Sequence, residues 1–229
     1  MGKIKKSHGN MYEWLTHMWS PSVGCPHQCS YCYVKQNKEL PETVEMQKPY
    51  PPLGSGRTIF VGFECDLFAE GVDEADILGV LIHCSKYDNQ YVFQTKNPLR
   101  IANSGAILDF FQYHLMYKCL IGTTIETNDD ELLKTISKAP SFHQRVNAMI
   151  ALDNLGFDTF VTIEPVLDFD SWFYSSIVRM HPNFVNIGAD SKGHKLPEPS
   201  KEKVQALIKY LQDNNIEIRN KANLTRLLT

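Results

Sequence analysis

The chain has 229 residues, of which 43% are hydrophobic and 21% charged, and its formal net charge is −3. This length can bury one sizeable core, and the near-neutral charge argues against a large basic field for nonspecific nucleic-acid binding. No run of about 18 apolar residues is present, which excludes a predicted membrane span. The basic N-terminus has no apolar segment behind it, so we predict no secretory signal and a cytoplasmic location.

Short segments rich in β-branched and aromatic residues predict the strands of a sheet. They cover residues 58–63, 91–95, 119–124, 159–163 and 184–188. Most are apolar at successive positions, which is typical of parallel strands covered on both faces. Residues 19–24 are a weaker candidate for a first strand because Pro21 has no amide hydrogen, and residues 216–219 are a candidate for a last strand.

Amphipathic stretches between these segments predict helices. Apolar residues recur at helical spacing in residues 77–82, 146–150 and 204–211. The predicted capping pairs are Ser141 with Gln144 and Asn128 with Glu131, and the predicted helix stop is Gly156. Alternating strands and helices imply right-handed βαβ units with a parallel sheet, either an open doubly wound sheet or a partial barrel. Periodicity does not separate these two architectures.

Three of the six cysteines lie within eight residues, at Cys25, Cys29 and Cys32. Chance would place this pattern in about 0.4% of chains with this length and cysteine frequency. A compact loop can turn three thiolates onto one polymetallic centre, and a cubane cluster with three thiolates keeps one iron open for a further ligand. The other cysteines, which have no ligand spacing, are Cys65, Cys84 and Cys119.

Two other interpretations of the three thiols stay open. A zinc site completed by His27 or a distant histidine would make the chain a noncatalytic metal-binding interaction module. Zinc loops usually pair two short Cys/His units, and the sequence has no second unit. Three unligated cysteines could instead pack as small hydrophobes, although polar residues such as Gln28 and Ser30 separate them.

The spacing Cys-x-x-x-Cys-x-aromatic-Cys, with Tyr31 in the aromatic slot, resembles the signature of the radical S-adenosylmethionine (radical SAM) superfamily. The resemblance implies a single radical SAM domain over residues 1–229, with an α/β fold that forms a partial (β/α)6 TIM-type barrel of parallel strands. The cluster loop would follow the first strand. It further implies a 4Fe-4S cluster on Cys25, Cys29 and Cys32, whose open iron binds S-adenosylmethionine (SAM). An electron from an external one-electron donor would cleave SAM, and the 5′-deoxyadenosyl radical would abstract hydrogen from an unidentified substrate.

Further short segments resemble a phage-associated branch of small radical SAM proteins. They are Phe60-Val61 leading to Asp66-Leu67-Phe68, Thr95-Lys96-Asn97-Pro98, Glu164-Pro165-Val166-Leu167 and Val185-Asn186-Ile187-Gly188. The sequence departs from the superfamily where Gly62-Phe63-Glu64 stands in place of a Gly-Gly-Glu stretch. A phage-like context makes nucleic acid or a nucleotide one candidate substrate class, which the mild acidity of the chain does not support.

Polar residues follow the predicted strands, and the carboxyl ends of parallel strands are where functional groups of such folds gather. The resemblance assigns the SAM side of the site to Tyr31, Gly62, Glu64, Thr95, Lys96 and Glu126. It assigns the substrate side to Asp66, Glu164, Asp190 and Lys221, and it identifies no catalytic residue. The alternative for each is a helix cap or a loop residue, and His27 is expected to face solvent or line the loop.

Overall fold

The computed structural model describes residues 4–8, 12–36 and 39–229. These fall into two compact units, one formed by the described residues of Met1–Gln28 and Cys32–Ile121 and the other by Cys29–Tyr31 and Gly122–Thr229. Strands and helices alternate along both units, as predicted for an α/β protein. Within the described ranges, no helix combines the length and apolar character that crossing a bilayer requires.

The first unit is built on mainly parallel strands. Its strands are β1 (Lys5–Lys6), β2 (His17–Trp19), β3 (Ser22–Val23), β4 (Glu45–Met46), β5 (Thr58–Val61), β6 (Gln90–Thr95) and the first half of β7 (Cys119–Thr124). Strands β2, β5 and β6 are parallel neighbours, and β1 lies antiparallel along β2. Strands β3 and β4 form a separate antiparallel pair.

The first strand predicted at residues 19–24 is split in the structure, so its predicted bounds are wrong. Trp19 ends β2, and its carbonyl oxygen accepts the amide of Gly62 at 2.7 Å. The chain then leaves the sheet at Pro21, which has no amide to continue the ladder, and Ser22–Val23 pairs with β4 instead.

The helices of the first unit cover its core. They are α1 (Glu74–Ser85), α2 (Leu99–Asn103) and α3 (Gly105–Phe110), with a π-helical turn (Phe111–Leu115) and 3-10 turns (Tyr33–Gln36 and Met116–Lys118). Helix α1 confirms the helix predicted around residues 77–82, whereas the helices in residues 99–118 were not predicted. The rings of Phe68, Phe93 and Phe111 pack with centroids 5.3–6.1 Å apart.

The second unit includes the last half of β7. Its further strands are β8 (Thr159–Ile163), β9 (Phe184–Ile187) and β10 (Glu217–Asn220). Its helices are α4 (Asp130–Ile136), α5 (Phe142–Asn154), α6 (Phe173–Arg179), α7 (Lys201–Asp213) and α8 (Thr225–Leu228). A 3-10 turn covers Ala222–Leu224. In the parallel register, Ile163 of β8 and Asn220 of β10 both align with Ile187 of β9. The three strands therefore end at the same level.

Helix ends in the second unit test the predicted caps. Ser141 and Gln144 form a reciprocal capping box at α5, as predicted, and Gly156 follows that helix with φ of 85°. The pairing of Asn128 with Glu131 is wrong, because α4 begins one residue later and Asp129 is its cap. The side-chain oxygen of Asn128 instead accepts the amide of Asp170 at 2.9 Å.

Candidate active site

The loop that carries Cys25 is shaped by two residues with positive φ. Gly24 has φ of 86°, and a Cβ atom there would lie 1.9 Å from the carbonyl oxygen of Thr43, so only glycine fits. Gln28 has φ of 48°, and its side-chain amide donates to the backbone oxygens of Cys25 and Leu40 at 2.8 and 3.2 Å. The loop therefore closes on itself and leaves Cys25 half-buried.

His27 and Asp66 form a buried pair in the first unit. Their side chains are joined at 2.9 Å between Nε2 and Oδ2, and His27 is only 3% exposed. The prediction that His27 faces solvent or merely lines the loop is wrong, because its imidazole takes the place of water beside a buried carboxylate.

Asp66 also connects the ends of two neighbouring strands. Its oxygens accept the backbone amides of Lys96, at 2.7 Å, and Phe68, at 3.0 Å. Burial raises the pKa of Asp66, but the charge and hydrogen bond of His27 and the amide of Lys96 outweigh burial and hold this pKa below its usual value. The structure thus brings Asp66 and Lys96 together, and Thr95 lies buried one residue earlier.

The turn after β5 carries Gly62 and Glu64. Gly62 has φ of 87°, and the amide of Glu64 donates to the hydroxyl of Ser20 at 2.8 Å. The carboxylate of Glu64 stays partly exposed, 3.6 Å from the ammonium of Lys5. Cys65 follows, its sulfur accepting the hydroxyl of Ser22 at 2.9 Å, and burial raises the pKa of this thiol to about 11.

The segment Cys29–Tyr31 belongs to the second unit, where three contacts hold it. The sulfur of Cys29 lies 3.3 Å from the hydroxyl of Ser137, and the amide of Ser30 donates to the carbonyl oxygen of Ile136 at 2.8 Å. The hydroxyl of Tyr31 donates to Oε1 of Glu126. Burial and the negative charge of Glu126 raise the pKa of Tyr31.

Glu126 is fully buried with Arg145, a residue that the sequence did not single out. Nη1 of Arg145 donates to Oε2 of Glu126 at 2.7 Å and to the carbonyl oxygen of Thr124 at 3.0 Å. Its Nε donates to the carbonyl oxygen of Pro140 at 2.7 Å. Within the described part of the chain, Nη2 is buried with no hydrogen-bond partner. The only sequence signal for this ion pair was an arginine on the otherwise apolar face of a predicted helix.

Glu164 and Lys221, two predicted substrate-side residues, meet where β8 and β10 end. Nζ of Lys221 lies 2.5 Å from Oε2 of Glu164, and the side-chain amide of Asn223 donates to Oε1 at 3.1 Å. A Cβ atom on Gly188 would come within 2.8 Å of that oxygen, so the close approach depends on glycine. Asn223 also donates to the backbone oxygen of Ala189 at 2.8 Å.

Asp190, the third predicted substrate-side residue of this unit, lies in the loop after β9 and is 6% exposed. Its Oδ1 is 2.6 Å from Nδ1 of His194. Burial raises its pKa, but the hydrogen bonds from His194 and from the Lys192 amide outweigh burial and lower the pKa overall. Arg226, which pairs with Glu198, donates to the backbone oxygen of Asp190 at 2.8 Å. Sequence reasoning missed His194 and Glu198 because the loop after β9 has no periodic pattern. It missed Arg226 because this residue lies in α8, distant along the chain from its partners.

All six cysteines lie in the described part of the chain, and none forms a disulfide. Cys29 is buried, and Cys25 and Cys32 are half-buried. Among the residues that the structure describes, no three His, Cys, Asp or Glu side chains are grouped as a site for one metal ion. The donor set of the loop, three thiols without disulfide partners, fits the soft-ligand chemistry of an iron–sulfur cluster.

The sequence pattern of the radical SAM superfamily matches residues 19–170, two thirds of the chain and the whole cysteine loop. The chain belongs to the radical SAM superfamily. As a radical SAM protein it is an enzyme, as predicted. No curated protein matches it in sequence.

Solved radical SAM enzymes have the same fold. A mutant of spore photoproduct lyase matches with a TM-score of 0.67 and 12% identity, covering 96% of this chain and 79% of that one. A second lyase mutant, with bound AdoMet and dinucleoside spore photoproduct, gives 0.65 and 12%, covering 95% and 78%. SuiB of Streptococcus suis, bound to S-adenosylmethionine, gives 0.56 and 13%, covering 90% and 49%. The predicted radical SAM fold class is therefore confirmed over nearly the whole chain.

Proposed function

We propose that this radical SAM enzyme cleaves SAM reductively at a 4Fe-4S cluster held by Cys25, Cys29 and Cys32. The observation that carries the proposal is the superfamily match across a loop whose three thiols have no disulfide partners. When bound, such a cluster supplies the electron that splits the sulfonium, and the resulting 5′-deoxyadenosyl radical removes hydrogen from substrate.

The residues proposed for the SAM side differ in how far their side chains are exposed to a bound ligand. Glu64 keeps a partly exposed carboxylate next to the ammonium of Lys5, which supports binding of another ammonium, that of the methionine moiety. Gly62 supplies the turn that presents Glu64, and Thr95 and Lys96 stand at the end of β6. Tyr31 and Glu126 are hydrogen-bonded to each other, so we propose that Glu126 serves the SAM site by orienting Tyr31.

The residues proposed for the substrate side are Asp66, Glu164, Asp190 and Lys221. Support for Glu164 and Lys221 is their partial exposure, since their side chains are 22% and 21% accessible while paired. Such a pair can offer either a donor or an acceptor to a polar substrate group. Asp66 and Asp190 are more deeply buried and support neighbouring backbone by accepting amide hydrogens.

We further propose a nucleotide or nucleic-acid substrate. Spore photoproduct lyase is solved with a dinucleoside spore photoproduct, whereas SuiB is solved with the precursor peptide SuiA. The TM-score is higher for the lyase complex, 0.66, than for the SuiB complex, 0.55, which favours the nucleotide class. Transfer of deuterium into 5′-deoxyadenosine from labelled oligonucleotides, but not from labelled peptides, would support this substrate class.

We propose that residues 1–229 act as one radical SAM domain in the cytoplasm and receive electrons from an external one-electron donor. Support for an external donor is that the spacing of the other three cysteines, Cys65, Cys84 and Cys119, does not predict a second cluster that would relay electrons. Membership of a phage-associated branch rests on the short segments named above.

Anaerobic reconstitution tests the cluster directly. The chain should bind about four irons, turn brown, bleach with dithionite and release 5′-deoxyadenosine from SAM. Replacing Cys25, Cys29 or Cys32 by Ala should each abolish iron retention, because each removes one of the three thiolate ligands.

Cys84→Ala is the matched control, because Cys84 is a buried thiol of α1 outside the loop. It should retain the iron. A colourless protein with stoichiometric zinc on the same three thiols would contradict the proposal and indicate a noncatalytic zinc-binding interaction module.

A further inference from the structure

We infer that the hydroxyl of Ser137 donates a hydrogen bond to the Cys29 thiolate and thereby raises the reduction potential of the cluster. The inference rests on the proposed function, because it requires Cys29 to be a cluster ligand. It identifies Ser137 as a positioning residue that acts on the cluster through one of the three cysteines.

Ser137 is brought to Cys29 by the end of helix α4. That helix stops at Ile136, and Ser137 caps it with an extended backbone, its amide donating to the carbonyl oxygen of Leu133 at 3.0 Å. The hydroxyl then lies 3.3 Å from the sulfur of Cys29, within range for a hydrogen bond to sulfur. Both residues are buried, Ser137 being 8% and Cys29 7% exposed.

The charge state of Cys29 determines which atom donates. The hydroxyl oxygen of Ser137 accepts the backbone amide of Ala139 at 3.1 Å. A hydroxyl can accept one hydrogen bond and donate another at the same time. A cysteine bound to iron is a thiolate and can only accept, so Ser137 must be the donor once Cys29 is a ligand.

Neighbouring hydrogen bonds fix the positions of Cys29 and Ser137 relative to each other. The amide of Ser30 donates to the carbonyl oxygen of Ile136 at 2.8 Å, one residue from each partner of the sulfur contact. Tyr31 is tied to the buried Glu126. Because these two hydrogen bonds hold the residues that follow Cys29, its sulfur cannot move far from the hydroxyl of Ser137 without breaking them.

A hydrogen bond to a cluster sulfur stabilises the reduced state, because reduction adds negative charge to the cluster and its ligands. Only the difference in hydrogen-bond strength between the two redox states affects the potential. We expect loss of the hydroxyl to change the one-electron reduction equilibrium about tenfold, which corresponds to about 59 mV.

The test is a potentiometric titration of the reconstituted protein without SAM, followed by electron paramagnetic resonance of the reduced cluster. Ser137→Ala should retain its iron and show a midpoint potential lower by about 59 mV. Ser137→Thr, which keeps a hydroxyl at this position, should stay near the wild-type potential.

Ser22→Ala is the matched control, because Ser22 is likewise buried and donates to a cysteine, Cys65, that we do not propose as a ligand. Its potential should equal that of the wild type. If Ser137→Ala binds iron with an unchanged potential, or if Ser137→Thr shifts as far as Ser137→Ala, the inference is wrong although the cluster stands. If the wild type binds no iron, the proposed function itself fails.

Discussion

Each unit buries one polar network that includes a residue of the cysteine loop, and the two networks are built differently. In the first unit, Asp66 accepts from His27 and from two backbone amides. In the second, Glu126 accepts from Tyr31 and from the guanidinium of Arg145, and both ionic groups are fully buried.

The difference lies in what would remain if one partner were lost. A substitution at His27 leaves the backbone amides of Lys96 and Phe68 in place, so Asp66 would keep two donors without His27. Glu126 depends on Arg145 for its compensating charge, and a buried carboxylate without a cation is strongly destabilising. The second network therefore holds its part of the loop with less tolerance for substitution than the first.

The largest expected effect follows from replacing Arg145 by methionine. This substitution leaves Glu126 buried without its cation and should reduce the free energy of unfolding by about 3–5 kcal/mol. Urea denaturation of the reconstituted protein measures the loss.

The double variant Glu126→Gln with Arg145→Met should recover most of that stability, because the uncompensated charge is removed as well. A double variant as unstable as the single one would show that Arg145 matters for packing rather than for its charge.

A smaller effect is expected for Asp66→Asn. The substitution replaces charge-assisted hydrogen bonds by neutral ones and should lower the free energy of unfolding by about 1.5–3 kcal/mol at pH 7. Denaturation curves of wild type and variant between pH 7 and pH 3 measure both the size of the loss and its pH dependence.

The sign of that pH dependence follows from the lowered pKa of Asp66. A carboxyl whose pKa is lower in the folded than in the unfolded chain stabilises the fold above the unfolded value of about 3.9. This contribution is lost as the pH falls through the lower folded pKa. The stability difference between wild type and variant should therefore be constant near neutrality and shrink below about pH 4; a difference that grows there would contradict the assignment.

The smallest effect on stability is expected for Lys221→Met, which breaks the half-buried pair with Glu164. Such partly solvated pairs contribute about 1 kcal/mol or less. Lys209→Ala, which breaks the exposed pair with Asp213, is the control and should change stability less still. A loss at Lys221 as large as that at Arg145 would remove the contrast between buried and partly exposed networks.

Much of the fold could be predicted from the sequence because its signals are local. The strands at residues 119–124 and 159–163 were predicted with correct bounds, since apolar runs of β-branched residues mark buried parallel strands. The capping box of Ser141 and Gln144 is likewise encoded within four residues. The cap at Asp129 was missed by one position because both Asn128 and Asp129 can cap, and only the helix start decides between them.

The candidate site was predictable only where its residues adjoin in sequence. The sequence by itself determined the cysteine loop, its superfamily and the polar residues at strand ends, because thiol spacing and strand periodicity are properties of a short stretch of chain. Only the tertiary structure decided that Asp66 pairs with His27, that Glu126 pairs with Arg145 and that Ser137 reaches Cys29. These contacts join residues 19 to 108 positions apart, and burial in a packed interior, which no local pattern reports, brings them together.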